Sequence, residues 1–265
     1  MSRYVMLTAY DAPTAELLEA QGVDILLVGD SVGMVLLGYE STVSVTMDEM
    51  IHHAKAVRRG AKKSFVIGDL PLKGVEKGPK QALESARRFV REAGCQAVKL
   101  EWSPRCLKTT RLLVKNGIPV MGHIGLTPQS AAKEGGFGVR GQRADKAAQL
   151  LKNALALEKT GAFAVLLECV PTPVAKKITQ RLKIPTFGIG AGKYCDGQVL
   201  VFHDVVGAFK KFKPRFVRSY ADVHSMMQQA VGRFVKDVRS EHFPKKKHGF
   251  NMKKEEAMRF EALSS

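Results

Sequence analysis

Eight short runs of β-branched and aliphatic residues recur along this chain, at Val5 to Thr8, Ile25 to Val28, Ser64 to Gly68, Ala97 to Leu100, Pro119 to Gly122, Ala164 to Leu167, Thr186 to Ile189 and Val199 to Phe202. Between them, apolar residues return every three or four positions, as at Leu83, Ala86, Val90 and Ala93, or at Ala147, Leu150, Leu151 and Ala154. Repeated passage from strand-like runs to a helical period means strands alternating with helices, and strands joined through helices run parallel. Eight such units predict an α/β protein of the (β/α)8, or TIM-barrel, class.

Helix boundaries agree with that period. Thr46 with Glu49 has the spacing of a capping box, and Ser103-Pro104 and Thr172-Pro173 would put proline at a first helical position. Gly60, Gly94, Gly117 and Gly161 fall where helices should end in a left-handed residue. Two intervals disturb the scheme. Residues 190 to 198 are too few for a crossover helix, which leaves the eighth strand the least defined. The interval from Gly125 to Arg143 is long, polar and glycine-rich, as expected of an active-site lid. Beyond residue 222, Val223, Met226, Met227, Ala230, Val231 and Phe234 describe an amphipathic helix, followed by a charged, mobile tail from about Pro244.

With 265 residues, 45% of them hydrophobic, the chain can build one large core, so a single domain over 1–265 is expected. Cys95, Cys106, Cys169 and Cys195 form no CxxC pair or zinc knuckle, and free thiols are expected. No secretory leader and no apolar span of membrane length is legible, which predicts a cytoplasmic protein without a membrane partner. The net charge of +17 is high. Lys210, Lys211, Lys213, Arg215 and Arg218 form one basic cluster, and Lys245, Lys246, Lys247, Lys253 and Lys254 another. Both are read as solvated faces rather than stacking platforms, so nucleic acid is not the expected partner; a basic nucleic-acid-binding barrel remains an alternative.

The chemistry concentrates at strand ends. Asp30, Asp69, Lys99 with Glu101, His123 and Glu168 all stand at the C-terminal ends of expected strands, the rim on which such barrels carry their sites. Each alone could be a helix cap or an ion-pair partner. Asp30, Asp69 and Glu101 would be neighbours from strands two, three and four, and their oxygens suit Mg2+; no histidine or cysteine pattern calls for zinc. Lys99 and Glu101, two apart, would face the same side, placing an ammonium beside the metal, suited to an anionic substrate. A Schiff-base lysine is the alternative. Gly188-Ile189-Gly190-Ala191-Gly192 lacks the spacing of a dinucleotide loop and reads as a close backbone approach. Cys169, next to Glu168, should face away from the site.

These residues lie in segments similar to those of the ketopantoate hydroxymethyltransferase family: Leu-Thr-Ala-Tyr-Asp at 7–11, Val-Gly-Asp-Ser-Val-Gly-Met at 28–34, Asp-Leu-Pro at 69–71, Val-Lys-Leu-Glu at 98–101, Gly-His-Ile-Gly-Leu-Thr-Pro-Gln-Ser at 122–130, Leu-Glu-Cys-Val-Pro at 167–171 and Asp-Gly-Gln-Val-Leu-Val at 196–201, followed by His203-Asp204. The resemblance runs from about residue 5 to 207. It implies Mg2+ on Asp30, Asp69 and Glu101, contact of Ser31 and Lys99 with a 2-oxo acid, His123 close by, and Glu168 as proton acceptor. It further implies 5,10-methylenetetrahydrofolate as co-substrate, 3-methyl-2-oxobutanoate as acceptor, 2-dehydropantoate as product on the route to pantothenate and coenzyme A, and a decameric homo-oligomer. The chain departs from the family pattern at Trp102-Ser103, Leu72-Lys73 and Gly138, and lacks a helix before strand one. A magnesium-dependent lyase or mutase of the phosphoenolpyruvate mutase and isocitrate lyase type is the enzymatic alternative; those enzymes carry a lid cysteine, and residues 125–143 contain none.

Overall fold

The computed structural model describes residues 3–131 and 136–264. In chain order the elements are β1 (Tyr4–Thr8), α1 (Ala12–Ala20), β2 (Ile25–Val28), α2 (Val32–Val35), α3 (Met47–Gly60), β3 (Phe65–Asp69), α4 (Leu72–Val75), α5 (Pro79–Ala93), β4 (Ala97–Glu101), α6 (Cys106–Lys115), β5 (Val120–Gly125), α7 (Ala144–Lys159), β6 (Ala164–Glu168), α8 (Thr172–Arg181), β7 (Thr186–Ile189), β8 (Gly197–Leu200), α9 (Phe202–Val205), α10 (Val223–Arg239) and α11 (Lys254–Ser264). The eight strands are parallel and pair in sequence order, with β8 returning to β1, so the sheet closes into a (β/α)8 barrel as the alternation predicts.

The strands run slightly further than their apolar stretches. β3, β4 and β6 end on Asp69, Glu101 and Glu168, because the ladder continues through Asp69 beside Lys99, Glu101 beside His123 and Gly125 beside Glu168. The polar rim residues are therefore held by the sheet itself. Strand alternation then sorts them from the outer layer. Leu26, Val66, Val98 and Val165 pack outward against the helices with Val57, Phe89, Leu113 and Leu157. Ile25, Leu27, Ile67, Ala97, Met121, Ala164, Leu166 and Phe187 fill the barrel interior. On β3, β4, β5 and β6 that inward row rises from an apolar residue to Asp69, to Lys99 and Glu101, to His123 and to Glu168. An apolar plug thus forms the floor beneath a polar layer.

The capping box at α3 is made, with Thr46 N donating to Glu49 Oε2 at 2.7 Å and Glu49 N to Thr46 Oγ1 at 3.3 Å. Gly94, Gly117 and Gly161 take positive φ as expected. Gly60 does not. A Cβ there would come within 2.1 Å of Ala12 O, so this glycine allows the end of α3 to touch the start of α1. Pro173 lies in the first turn of α8, whereas α6 starts only at Cys106 and leaves Pro104 in the preceding turn.

No helix joins β7 to β8, in keeping with the short interval, and β8 begins two residues earlier than its apolar pattern suggests. Seven residues, 190 to 196, return the chain outside the barrel. They can span about 23 Å extended, more than the roughly 13 Å rise of a four-residue strand. Asp196 anchors the return at the barrel bottom, where its Oδ2 accepts from Thr186 N at 2.8 Å.

After β8 the segment from Lys210 to Arg218 crosses the barrel mouth: its basic residues are exposed, as expected of a solvated face, while the phenylalanines among them line the cavity, as described below. The amphipathic helix expected beyond residue 222 is α10. It buries none of its residues, and Met226, Met227, Val231 and Phe234 are each more than half exposed. The charged tail carries a 3-10 turn at Lys246–His248 and then α11, neither of which buries a residue. Among the described residues no helix is long and apolar enough to cross a membrane.

Candidate active site

At the C-terminal end of the barrel a cavity of about 340 Å³ opens, with Asp30, Ser31, Asp69, Lys99, Glu101, His123 and Glu168 all in its wall. Every site residue expected from the sequence is thus brought to one place. Lys99 stands at the centre: its Nζ is 2.8 Å from Asp69 Oδ1, 3.1 Å from His123 Nδ1 and 4.0 Å from Glu101 Oε1. An ammonium can only donate, so His123 Nδ1 accepts, and the proton of the neutral imidazole sits on Nε2. That nitrogen is 3.2 Å from Glu168 Oε2. Burial, reinforced by Lys99, holds the His123 pKa well below the usual imidazole value, so the ring stays neutral.

The cluster carries more negative charge than one ammonium can balance. Burial pushes the Asp69 carboxyl up to about 7 against the lowering pull of Lys99, and raises Glu101 well above the carboxylate range in the same way. Burial alone disfavours charge on Lys99, but Asp69, Glu101 and Asp30 outweigh it and keep the ammonium protonated. Glu168 is likewise raised by burial, to about 7, with Lys99 the opposing influence. Buried acids that retain protons for want of a counter-charge are suited to a cation that would replace those protons.

Asp30, Asp69 and Glu101 fit a divalent ion by chemistry, all three offering hard oxygen donors, and Glu101 Oε1 accepts no hydrogen bond. Among the described residues, no three acidic, histidine or cysteine side chains already surround one point at ligand distance, since the Lys99 ammonium stands among them.

Two contacts that sequence reasoning misses support this layer. Gln129, buried in the lid segment, donates through Nε2 to Asp30 Oδ2 at 2.8 Å and to Leu70 O at 3.0 Å, and its backbone N donates to Glu101 Oε2 at 3.2 Å. Tyr10 Oη and Ser31 Oγ share a hydrogen bond of 2.8 Å, and burial raises the Tyr10 phenol so that it stays protonated. Gln129 lies inside the motif at 122–130 and Tyr10 inside that at 7–11, which was the only available signal.

The upper wall corrects two expectations. Cys169 lines the cavity instead of facing away, because strand alternation stops at Glu168 and Cys169 takes φ 49°. Burial and then the nearby Glu168 push its thiol up to about 11, which leaves it protonated and a poor nucleophile. Within the first basic cluster, Phe209, Phe212 and Phe216, three and four apart, line the mouth together with Arg215 and Asp204. Charge counting hid these aromatics. From the lid, Phe137, Gly138 and Val139 complete the mouth, and Arg140 N donates to Cys169 O at 2.8 Å; residues 132–135 of the expected lid fall outside the described residues.

The comparisons with known proteins agree with this geometry. The profile of the ketopantoate hydroxymethyltransferase family matches residues 1–246. The 3-methyl-2-oxobutanoate hydroxymethyltransferase of Oleidesulfovibrio alaskensis is 52% identical over 259 residues, covering 98% of this chain and 90% of that one. The enzyme of the same name from Thermus thermophilus is 52% identical over 248 residues, 94% of this chain and 95% of the relative. Among solved structures, a phosphoenolpyruvate phosphomutase from Streptomyces platensis superposes with a TM-score of 0.61 at 17% identity, over 91% of this chain and 84% of that one. Phosphonopyruvate hydrolase in complex with oxalate and Mg2+ gives 0.60 at 11% identity, over 98% and 93%. At such identities these two share the fold alone. The chain belongs to the ketopantoate hydroxymethyltransferase family.

Proposed function

We propose that this chain transfers a hydroxymethyl group from 5,10-methylenetetrahydrofolate to 3-methyl-2-oxobutanoate, forming 2-dehydropantoate, with Glu168 as the base. The observation that carries this reading is Glu168, partly buried in the cavity wall and raised to about 7, facing across one cavity the Asp30, Asp69 and Glu101 carboxylates. A general base is most effective when its pKa lies near the working pH.

In this reading Asp30, Asp69 and Glu101 hold one Mg2+. The bound ion supplies Lewis-acid polarisation of the ketone, which acidifies the neighbouring C–H. The substrate carboxylate pairs with Lys99, and the Ser31 hydroxyl, fixed by Tyr10, donates to it. Glu168 takes the C3 proton, and the electron pair left on C3 forms the new bond to the one-carbon unit. Water provides the hydroxyl, and tetrahydrofolate leaves. Neutral His123, its Nδ1 occupied by Lys99, presents Nε2–H on the Glu168 side and orients the substrate rather than taking the proton.

The protein is further proposed to assemble as a homo-oligomer, a decamer by family resemblance, in the cytoplasm. The bare apolar face of α10 supports self-association, since exposed apolar patches of this kind mark interfaces. A lyase or mutase reading has only the barrel in its favour. A coupled transfer assay tests the proposal: turnover with 3-methyl-2-oxobutanoate and methylenetetrahydrofolate, lost in chelator and restored by Mg2+, is expected, and full turnover in excess chelator would remove the metal from the account.

A further inference from the structure

The cavity has two zones of different chemistry. Its floor carries the charged layer around Lys99, while its mouth is aromatic, with Phe137 from the lid and Phe209, Phe212 and Phe216 from the segment after β8. Phe137 and Phe212 are more than half exposed, an arrangement that costs free energy unless something flat covers them. The same cavity wall carries one further carboxylate. Asp204, on α9, lines the cavity half-buried, and among the described residues its side chain makes no hydrogen bond and no ion pair.

An unpaired, partly desolvated carboxylate is unfavourable in a resting fold and useful in a binding site. Burial raises its pKa to about 6 against the pull of Lys213, so it is ionised at neutral pH and available as an acceptor. Both of its oxygens can accept from a planar group that carries two adjacent N–H donors, much as a carboxylate receives a guanidinium. Arg215 stands in the same wall with an exposed side chain and offers the opposite charge.

We infer that this mouth is the pterin site, in which the Asp204 carboxylate receives the 2-amino and N3–H edge of the reduced folate between Phe212 and Phe216, while Arg215 takes the carboxylates of its glutamate tail. The inference rests on the folate-dependent reading above and deepens it. A flat bicyclic donor edge, an aromatic wall and a distal anion match an acidic group, phenylalanines and a basic group in one opening. The occupant of the mouth lies above the floor where the 2-oxo acid is held, as transfer of one carbon between them requires.

Calorimetric titration with two probes separates the parts. Tetrahydrofolate carries both the pterin edge and the glutamate tail; p-aminobenzoylglutamate carries the tail alone. Asp204→Asn keeps the size and removes the charge, so folding is expected to be intact, as a thermal melt will report. It should weaken tetrahydrofolate binding by about tenfold or more while leaving p-aminobenzoylglutamate within twofold, since a lost charge-assisted pair is worth a decade or better. Arg215→Met should weaken both probes. Phe212→Ala, at an exposed position, should weaken tetrahydrofolate alone. Unchanged tetrahydrofolate affinity in Asp204→Asn would overturn the inference and leave the folate reading standing. A wild-type protein that exchanges the C3 hydrogen of 3-methyl-2-oxobutanoate with solvent but binds no tetrahydrofolate would overturn both.

Discussion

Gln129 Nε2 donates to Asp30 Oδ2 at 2.8 Å across ninety-nine residues of sequence, and so ties the lid segment to the end of β2. Because the same side chain also donates to Leu70 O and its backbone N to Glu101 Oε2, one residue orients two of the three carboxylates read as metal ligands. Groups that hold a ligand's free oxygen fix which oxygen is presented to the ion.

Gln129→Met, which keeps the length and loses the donors, should therefore raise the Mg2+ concentration for half-maximal turnover by roughly 10- to 100-fold. At saturating Mg2+ the rate should recover most of its wild-type value. A titration of activity against Mg2+ distinguishes this from a general loss of structure, which would lower the plateau without moving the midpoint.

Glu168 also sets a pH dependence of stability. In the unfolded chain a glutamate releases its proton near the ordinary value, whereas in the folded cavity it holds that proton until about 7. Between those values the folded state binds more protons, so raising the pH costs stability, on the order of 3 kcal/mol in full. Glu168→Gln has no such charge to bury. Measured in chelator, the melting temperature of the variant relative to wild type should rise from pH 5 to pH 8; a constant difference would mean that Glu168 ionises at its ordinary value.

The exposed side of α10 makes a prediction about assembly. Met227, Val231 and Phe234 lie within two turns and are more than half exposed, although the Phe234 ring meets that of Phe243 edge-on at 5.6 Å. Phe234→Glu should break the oligomer into smaller species in sedimentation velocity with little effect on the barrel's own melt. An unchanged sedimentation coefficient would show that α10 lies outside the interface.

How much of this was legible beforehand follows from where each residue sits. Asp69, Lys99, Glu101, His123 and Glu168 belong to strands, and a two-residue period counted from an apolar floor residue such as Ala97 leads directly to the rim. Gln129 and Asp204 lie on loop and short-helix segments whose return path no period encodes. The phenylalanines of the mouth alternate with basic residues, so the charge of the segment outweighs their spacing of three and four in the sequence. The strand period likewise failed at Cys169, where a left-handed residue ends it, and the expectation of a left-handed helix end failed at Gly60, whose role is contact with Ala12.

The central claim is that Glu168 removes the C3 proton of the 2-oxo acid, and exchange of that hydrogen with deuterated solvent reports this step without any folate present. With Mg2+ and 3-methyl-2-oxobutanoate, the wild-type protein should exchange the hydrogen, and Glu168→Gln should do so at least about 100-fold more slowly, the lower bound for loss of a positioned base. Exchange by Glu168→Gln at the wild-type rate would contradict the account and pass the role of base to another group on the cavity wall.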